Sequence, residues 1–110
     1  MDDRRFGAQV EEIPDEVRVR MRGDLDGRAD ERLGSAYDEV ASLGARHLTL
    51  DFADVGYINS TGIALVVRLL SDARRDGRGV RAVGLSPHYR EIFRITRLSD
   101  FMDIVEGDAA

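Results

Sequence analysis

The stretch "LTLDFADVGYINSTGIALVV", residues 48–67, runs from an apolar strand pattern through a polar Asn-Ser-Thr-Gly cluster into a long apolar segment. A strand beginning at "HLTLDF", residues 47–52, followed by a helix over residues 60–75, is the reading that its periodicity supports. Arg74, Arg75 and Arg78 collect at the C-terminal end of that segment, where the helix dipole favours cations, and Gly77 and Gly79 stop it. The turn between strand and helix needs only one capping residue. Two adjacent hydroxyls, Ser60 and Thr61, therefore call for an explanation beyond the turn itself.

Working outward, "VRVRMRGDLD" alternates Val17, Val19 and Met21 with Arg18, Arg20 and Arg22. This is the period-2 pattern of a strand with one buried and one solvated face, so the arginines read as a wet sheet face rather than an anion site. Residues 6–12 form a partner strand in an antiparallel hairpin, joined through Ile13-Pro14-Asp15-Glu16. After "GDLDG", residues 23–27, the positions Ala29, Leu33, Ala36, Tyr37 and Val40 recur at helical spacing, and Gly44 supplies a C-terminal cap. Downstream, "VRAVGL" is a short strand, Ser86-Pro87 an N-cap with proline at the first helical position, and Tyr89, Ile92, Phe93 and Thr96 the inward face of a third helix. "FMDIV" adds a final short strand, with an ordered core over about residues 6–105 and a frayed tail over residues 107–110.

The alternation of strands and helices implies right-handed crossovers and parallel pairing. The expected fold is an α/β single domain over residues 1–110: a mixed, mostly parallel sheet of four to five strands with an N-terminal antiparallel hairpin and three to four helices. In such a sheet, sites gather at the carboxyl ends of the strands. Both "GDLD" and "NSTG" fall there.

Composition narrows the function. A formal net charge of -5 argues against nucleic acid as the main partner, because phosphate backbones are held by positive surface. The absence of cysteine removes disulfides, thiolate catalysis and thiolate-held metals. No segment has the length of a membrane span or the pattern of a secretion signal, so a soluble protein without membrane insertion is expected. His47 and His88 are too few and too far apart for a zinc site. Ser60 lacks the Gly-x-Ser-x-Gly setting of a nucleophile elbow, and no glycine-rich loop of the phosphate-cradling type is present. Asp24 and Asp26 are paired carboxylates, yet a domain of this size offers little room for a substrate cleft. A non-enzymatic interaction module without cofactor or metal is the expectation.

Asn59 and Ser60 are both good N-caps, each worth ~1 kcal/mol over alanine. Gly62 leaves room for close backbone approach. A helix N-terminus also tolerates an added phosphate, since its free N–H groups and positive dipole end favour an anion.

With "GDLD" at residues 23–26, "LTLDFADVGYINSTGIALVV" at 48–67 and the strand-helix order to about residue 105, the chain resembles STAS domains, and among them the stand-alone bacterial anti-sigma factor antagonists. The resemblance implies that Ser60 is phosphorylated by an anti-sigma factor that is also a serine kinase, that a phosphatase reverses this, and that the protein is cytoplasmic. It implies a partner-binding surface of Asp24, Asp26, Asn59, Ser60, Thr61 and Gly62. Asp24 stands where the family pattern has Glu. Asn59 stands where it has Asp, keeping the capping ability and removing a charge. The alternative implied by the same resemblance is a non-switching STAS subunit of a lipid-transport complex or signalling scaffold, in which "NSTG" is a docking cap.

Overall fold

The computed structural model describes residues 4–14 and 16–105. The alternating valine-arginine segment forms strand β2, Glu16–Leu25, paired antiparallel with β1, Gly7–Ile13, in a register that sets Val10 opposite Val19 and Ile13 opposite Glu16. Pro14 begins the turn as expected, while the expected role of Asp15 and the tail over residues 107–110 lie outside the described residues. Helix α1, Asp30–Ser42, leads to β3, His47–Ile58; helix α2, Ser60–Arg75, leads to β4, Gly79–Val83; and helix α3, Pro87–Ile95, leads to β5, Asp103–Ile104. Short 3₁₀ turns at Gly27–Ala29 and Leu98–Asp100 precede α1 and β5.

The sheet order is β1-β2-β3-β4-β5, antiparallel at the first pairing and parallel thereafter. A parallel sheet whose strands follow chain order, joined by right-handed crossovers, places every crossover helix on the same face. The core agrees with this. Val17, Val19, Leu48, Leu50 and Ala82 share one buried cluster with Leu33 and Val40 of α1, Val66 and Leu70 of α2, and Phe93 of α3. Phe93 meets Phe52 edge-on with ring centroids 5.7 Å apart, a geometry worth about 0.5–1.5 kcal/mol beyond area burial. The opposite face carries the arginines. Arg20 pairs with Glu11 at 3.1 Å and Arg18 lies 3.7 Å from Asp51; Arg20 and Arg22 are exposed as expected of a solvated face, whereas Arg18 is half-buried and Thr49 beside it is buried.

Capping follows the sequence closely. Ser86 Oγ accepts from the Tyr89 N–H at 3.2 Å, and Gly44 and Gly77 take φ of 68° and 72° just beyond α1 and α2. Two expectations need correction. Thr96 is exposed rather than inward: its hydroxyl donates to the Ile92 carbonyl at 2.7 Å and closes the end of α3. Arg78 is not a simple dipole partner of α2. Its guanidinium donates to the Tyr37 hydroxyl at 3.2 Å and to the Ala45 carbonyl, tying the end of α2 to the loop after α1.

β3 is also longer than its apolar pattern suggests. Residues 53–57 are mostly exposed and lack alternation, yet they stay extended because β2 runs beside them as far as Leu25 opposite Ile58, with register shifts along the way. β4 leaves β3 after Val83 opposite Asp51. Its departure at Gly84 takes φ of 79°, and a Cβ there would stand 2.6 Å from the Ala53 nitrogen. Beyond Asp51 the sheet loses β4, and beyond Arg22 opposite Asp54 it loses β1 as well, so the β2–β3 pair ends as a short two-stranded ribbon with "GDLD" and "NSTG" at its tip.

Candidate functional site

The ribbon tip joins the two motifs through backbone contacts. The Asn59 N–H donates to the Leu25 carbonyl at 3.3 Å, and Asp24 sits opposite Tyr57 in the ladder. On the free side of β3, where β4 no longer pairs, the Ile58 N–H donates to the Tyr89 hydroxyl at 2.9 Å. A side chain of α3 thus satisfies a backbone group that would otherwise lose its partner. Sequence reading placed Tyr89 on the inner face of α3 but carried no sign that its hydroxyl holds the site strand.

Capping of α2 falls to Asn59 alone. Its backbone is extended and its Oδ1 accepts the Gly62 N–H at 2.8 Å. Ser60 and Thr61 occupy the first turn with exposed side chains, and no hydrogen bond among the described residues engages either hydroxyl. Gly62 is buried, and a Cβ on it would stand 1.9 Å from the Leu25 oxygen, so the helix start can seat against the end of β2 only with glycine here. Thr61 turns its methyl toward the 3₁₀ turn, 3.4 Å from where a Cβ of Gly27 would lie.

The acidic loop divides into two unlike carboxylates. Asp26 caps the 3₁₀ turn, accepting the Arg28 N–H at 3.0 Å and the Arg28 guanidinium at 3.0 and 3.3 Å. Those hydrogen bonds hold its carboxyl below the usual range. Arg28 thus offsets the Asp26 charge at this end of the molecule. Asp24 is half-buried; its N–H donates to the Arg4 carbonyl at 2.7 Å, and among the described residues it has no comparable guanidinium clamp. The structure thus brings Asp24, Asp26, Asn59, Ser60, Thr61 and Gly62 to one end of the molecule. His47 lies at the start of β3 and His88 in the first turn of α3. Among the described residues there is no group of three His, Cys, Asp or Glu side chains placed to hold a metal ion, and no helix long and apolar enough to cross a membrane.

A five-stranded mixed sheet with its crossover helices on one face, and a strand-Asn-Ser-Thr-Gly-helix junction at its carboxyl end, defines a STAS-type module. The chain belongs to that family: the family model described as "Mlab, STAS domain" matches residues 8–106. It is similar to an anti-sigma-B factor antagonist of Staphylococcus aureus, with 28% identity over 81% of this chain and 82% of the relative. Among solved structures it resembles an anti-sigma factor antagonist from Mycobacterium paratuberculosis, with TM-score 0.77 at 19% identity over 98% of this chain and 92% of that one. It also resembles the Bacillus cell fate determinant SpoIIAA in its phosphorylated form, with TM-score 0.69 at 21% identity over 94% and 95% of the two chains. At these identities the structural likeness establishes a shared fold.

Proposed function

We propose that this chain is an anti-sigma factor antagonist that works by partner switching. Unmodified, it binds an anti-sigma factor that is also a serine kinase. That kinase phosphorylates Ser60, which ends the binding, and a phosphatase restores it. The protein acts in the cytoplasm, catalyses nothing itself and needs no cofactor. The observation that carries this reading is the division of labour at the start of α2: Asn59 does the capping, so the exposed Ser60 hydroxyl serves no role in the fold. The anti-sigma factor antagonists among its relatives support the same reading.

The surface around Ser60 suits a protein partner. Ser60, Ala64 and Val67 follow one another along an exposed stripe of α2, and Tyr57 stands 51% exposed opposite Asp24. A phosphate at Ser60 adds about 1.5–2 negative charges at neutral pH. In a closed interface that charge must be desolvated, and a thousandfold loss of affinity requires ~4 kcal/mol, the scale of a buried unpaired charge. No change of fold is needed. Asp24 adds like-charge repulsion to the modified state, while the helix dipole offsets part of it.

Intact-mass measurement of the protein from its native host, with peptide mapping across residues 48–68, tests the proposal. A phosphate on Ser60 is the expected result. A chain that stays unmodified under several growth conditions with the phosphatase inhibited would overturn it in favour of a non-switching STAS subunit. In that case Ser60→Ala weakens assembly, whereas in the switch it preserves binding and abolishes regulation.

A further inference from the structure

Helices α1 and α2 leave a groove between them, with a cavity of about 150 Å³. Its floor is apolar, made by Leu33, Tyr37, Leu65 and Leu69, and its rim carries Asp30, Asp38 and Asp72 against the single cation Arg68. Arg68 pairs with Asp30 at 3.4 Å and Asp72 with Arg75 at 3.1 Å. Asp38 has no ion-pair partner among the described residues, so the rim is left acidic.

Gly34 points to what the groove is for. It lies in the interior of α1 and lines the groove, and a Cβ built on it would meet nothing within 4 Å. Glycine in a helix interior costs stability relative to alanine. Nothing among the described residues requires it, in contrast to Gly62, which is forced by the Leu25 oxygen. A site that forgoes a side chain over open space lets another chain approach the backbone closely. The cavity is smaller than the roughly 300–1,000 Å³ of small-molecule sites, which suits a side chain rather than a metabolite.

We propose that this groove is a docking surface for a protein segment presenting an arginine or lysine. The stem of that side chain lies along Leu65, Leu69 and Tyr37, its cationic head reaches Asp38 and Asp72, and the backbone behind it passes over Gly34. Long basic side chains bury their stems on apolar surface while keeping the head among polar groups, so apolar floor and acidic rim together fit such a residue. Charge complementarity decides the occupant, and the Arg68–Asp30 pair shows a guanidinium already seated at the same rim. This surface is independent of the chemistry at Ser60.

The test is amide NMR on the full chain, titrated with an alanine-based peptide of roughly 18 residues carrying arginines, long enough to be helical in water, and with its glutamate counterpart. Saturable shifts should centre on Asp38, Leu65 and Asp72 with the arginine peptide alone. Asp38→Asn combined with Asp72→Asn should weaken the binding about tenfold, which is 1.4 kcal/mol. Gly34→Leu should raise the melting temperature and abolish the shifts, a combination that a purely structural glycine would not give. A lower melting temperature for Gly34→Leu would mean that this chain itself fills the space, and would overturn the proposal. So would equal shifts from the glutamate peptide, shifts confined to other acidic surface, or shifts that follow protein concentration without peptide, which would mark a second copy as the occupant.

Discussion

The carbonyl oxygen of Leu25 lies 1.9 Å from where a Cβ on Gly62 would stand. This is far inside any tolerable contact, and both partners are fixed: Leu25 is fully buried at the end of β2, and its oxygen also accepts the Asn59 N–H. Gly62→Ala must push α2 off the sheet end. Overpacking of this kind costs about 1–3 kcal/mol, and the displaced Asn59 bond adds to it. Urea unfolding should show the loss, with chemical-shift changes concentrated around residues 24–28 and 58–63.

Tyr89 makes a separate, longer-range contribution to the same junction. Tyr89→Phe keeps the ring and removes the acceptor of the Ile58 N–H, leaving a backbone donor with no protein partner. An unsatisfied buried donor costs about 1–3 kcal/mol. The expected outcome is a loss in that range, together with faster hydrogen exchange at Ile58 than at Leu50, which sits in the three-stranded part of the ladder.

Asn59 and Ser60 should separate cleanly in a melting experiment. Asn59→Ala removes the bond to the Gly62 N–H and should cost ~1 kcal/mol. Ser60→Ala removes an exposed hydroxyl that the fold does not use and should stay within about 0.5 kcal/mol of the parent. Asn59→Asp keeps the acceptor and places a charge at the positive end of α2, so it should equal or exceed the parent by about 0.3–1 kcal/mol at low salt. If Ser60→Ala proved the more damaging change, capping would belong to the serine and the argument for its free hydroxyl would fail.

The fold was legible where periodicity was strong. Val17, Val19 and Met21 marked β2 and its buried face, α2 was bounded at Ser60 and Arg75, and Ser86-Pro87 marked the start of α3. Legibility failed where tertiary pairing replaced local pattern. Residues 53–57 show no alternation because they lie past the end of β4, where the sheet narrows and there is little to bury, yet the ladder with β2 keeps them extended. The six residues expected at the site do gather there. Their division of roles, with Asn59 as cap, Asp26 as clamp for Arg28 and Gly62 as seat for Leu25, depends on distances that spacing along the chain does not encode.

Stability should fall at both ends of the pH scale for different reasons. The hydrogen bond from Arg28 lowers the Asp26 pKa, those from the Tyr37 hydroxyl and then Arg75 lower that of Asp76, and that from Arg94 lowers that of Glu91. In each case the unfolded chain binds protons first as pH falls. The stability these groups provide is therefore present above the ordinary carboxylate range of about 4 and is lost as pH drops through their folded values. Burial pushes the Tyr37 phenol above its usual pKa of 10.0, so the unfolded chain loses that proton first and stability declines above that pH. Urea midpoints against pH should show Asp76→Asn with a shallower acid limb. Tyr37→Phe should have a shallower alkaline limb and a lower plateau, because it forfeits bonds to Asp76 at 2.8 Å and Arg78 at 3.2 Å.

Under the proposed switch, Ser60→Asp should uncouple folding from binding. The new carboxylate sits in the first turn of α2, where the helix dipole stabilises negative charge by about 0.3–1 kcal/mol. The side chain there is exposed, so no core contact is disturbed. Melting temperature should be unchanged or slightly raised. Affinity for the anti-sigma factor should nevertheless drop, by about tenfold or more, since one desolvated charge in place of a phosphate gives a smaller penalty than the ~4 kcal/mol of a thousandfold loss. Ser60→Ala, of similar stability, should bind as the parent does. Calorimetric titration of the three proteins against the same partner decides the matter. If Ser60→Asp bound like the parent, the interface would have to lie elsewhere than the start of α2; if Ser60→Ala bound as weakly as Ser60→Asp, the hydroxyl would be a docking contact and the partner-switching reading would fail.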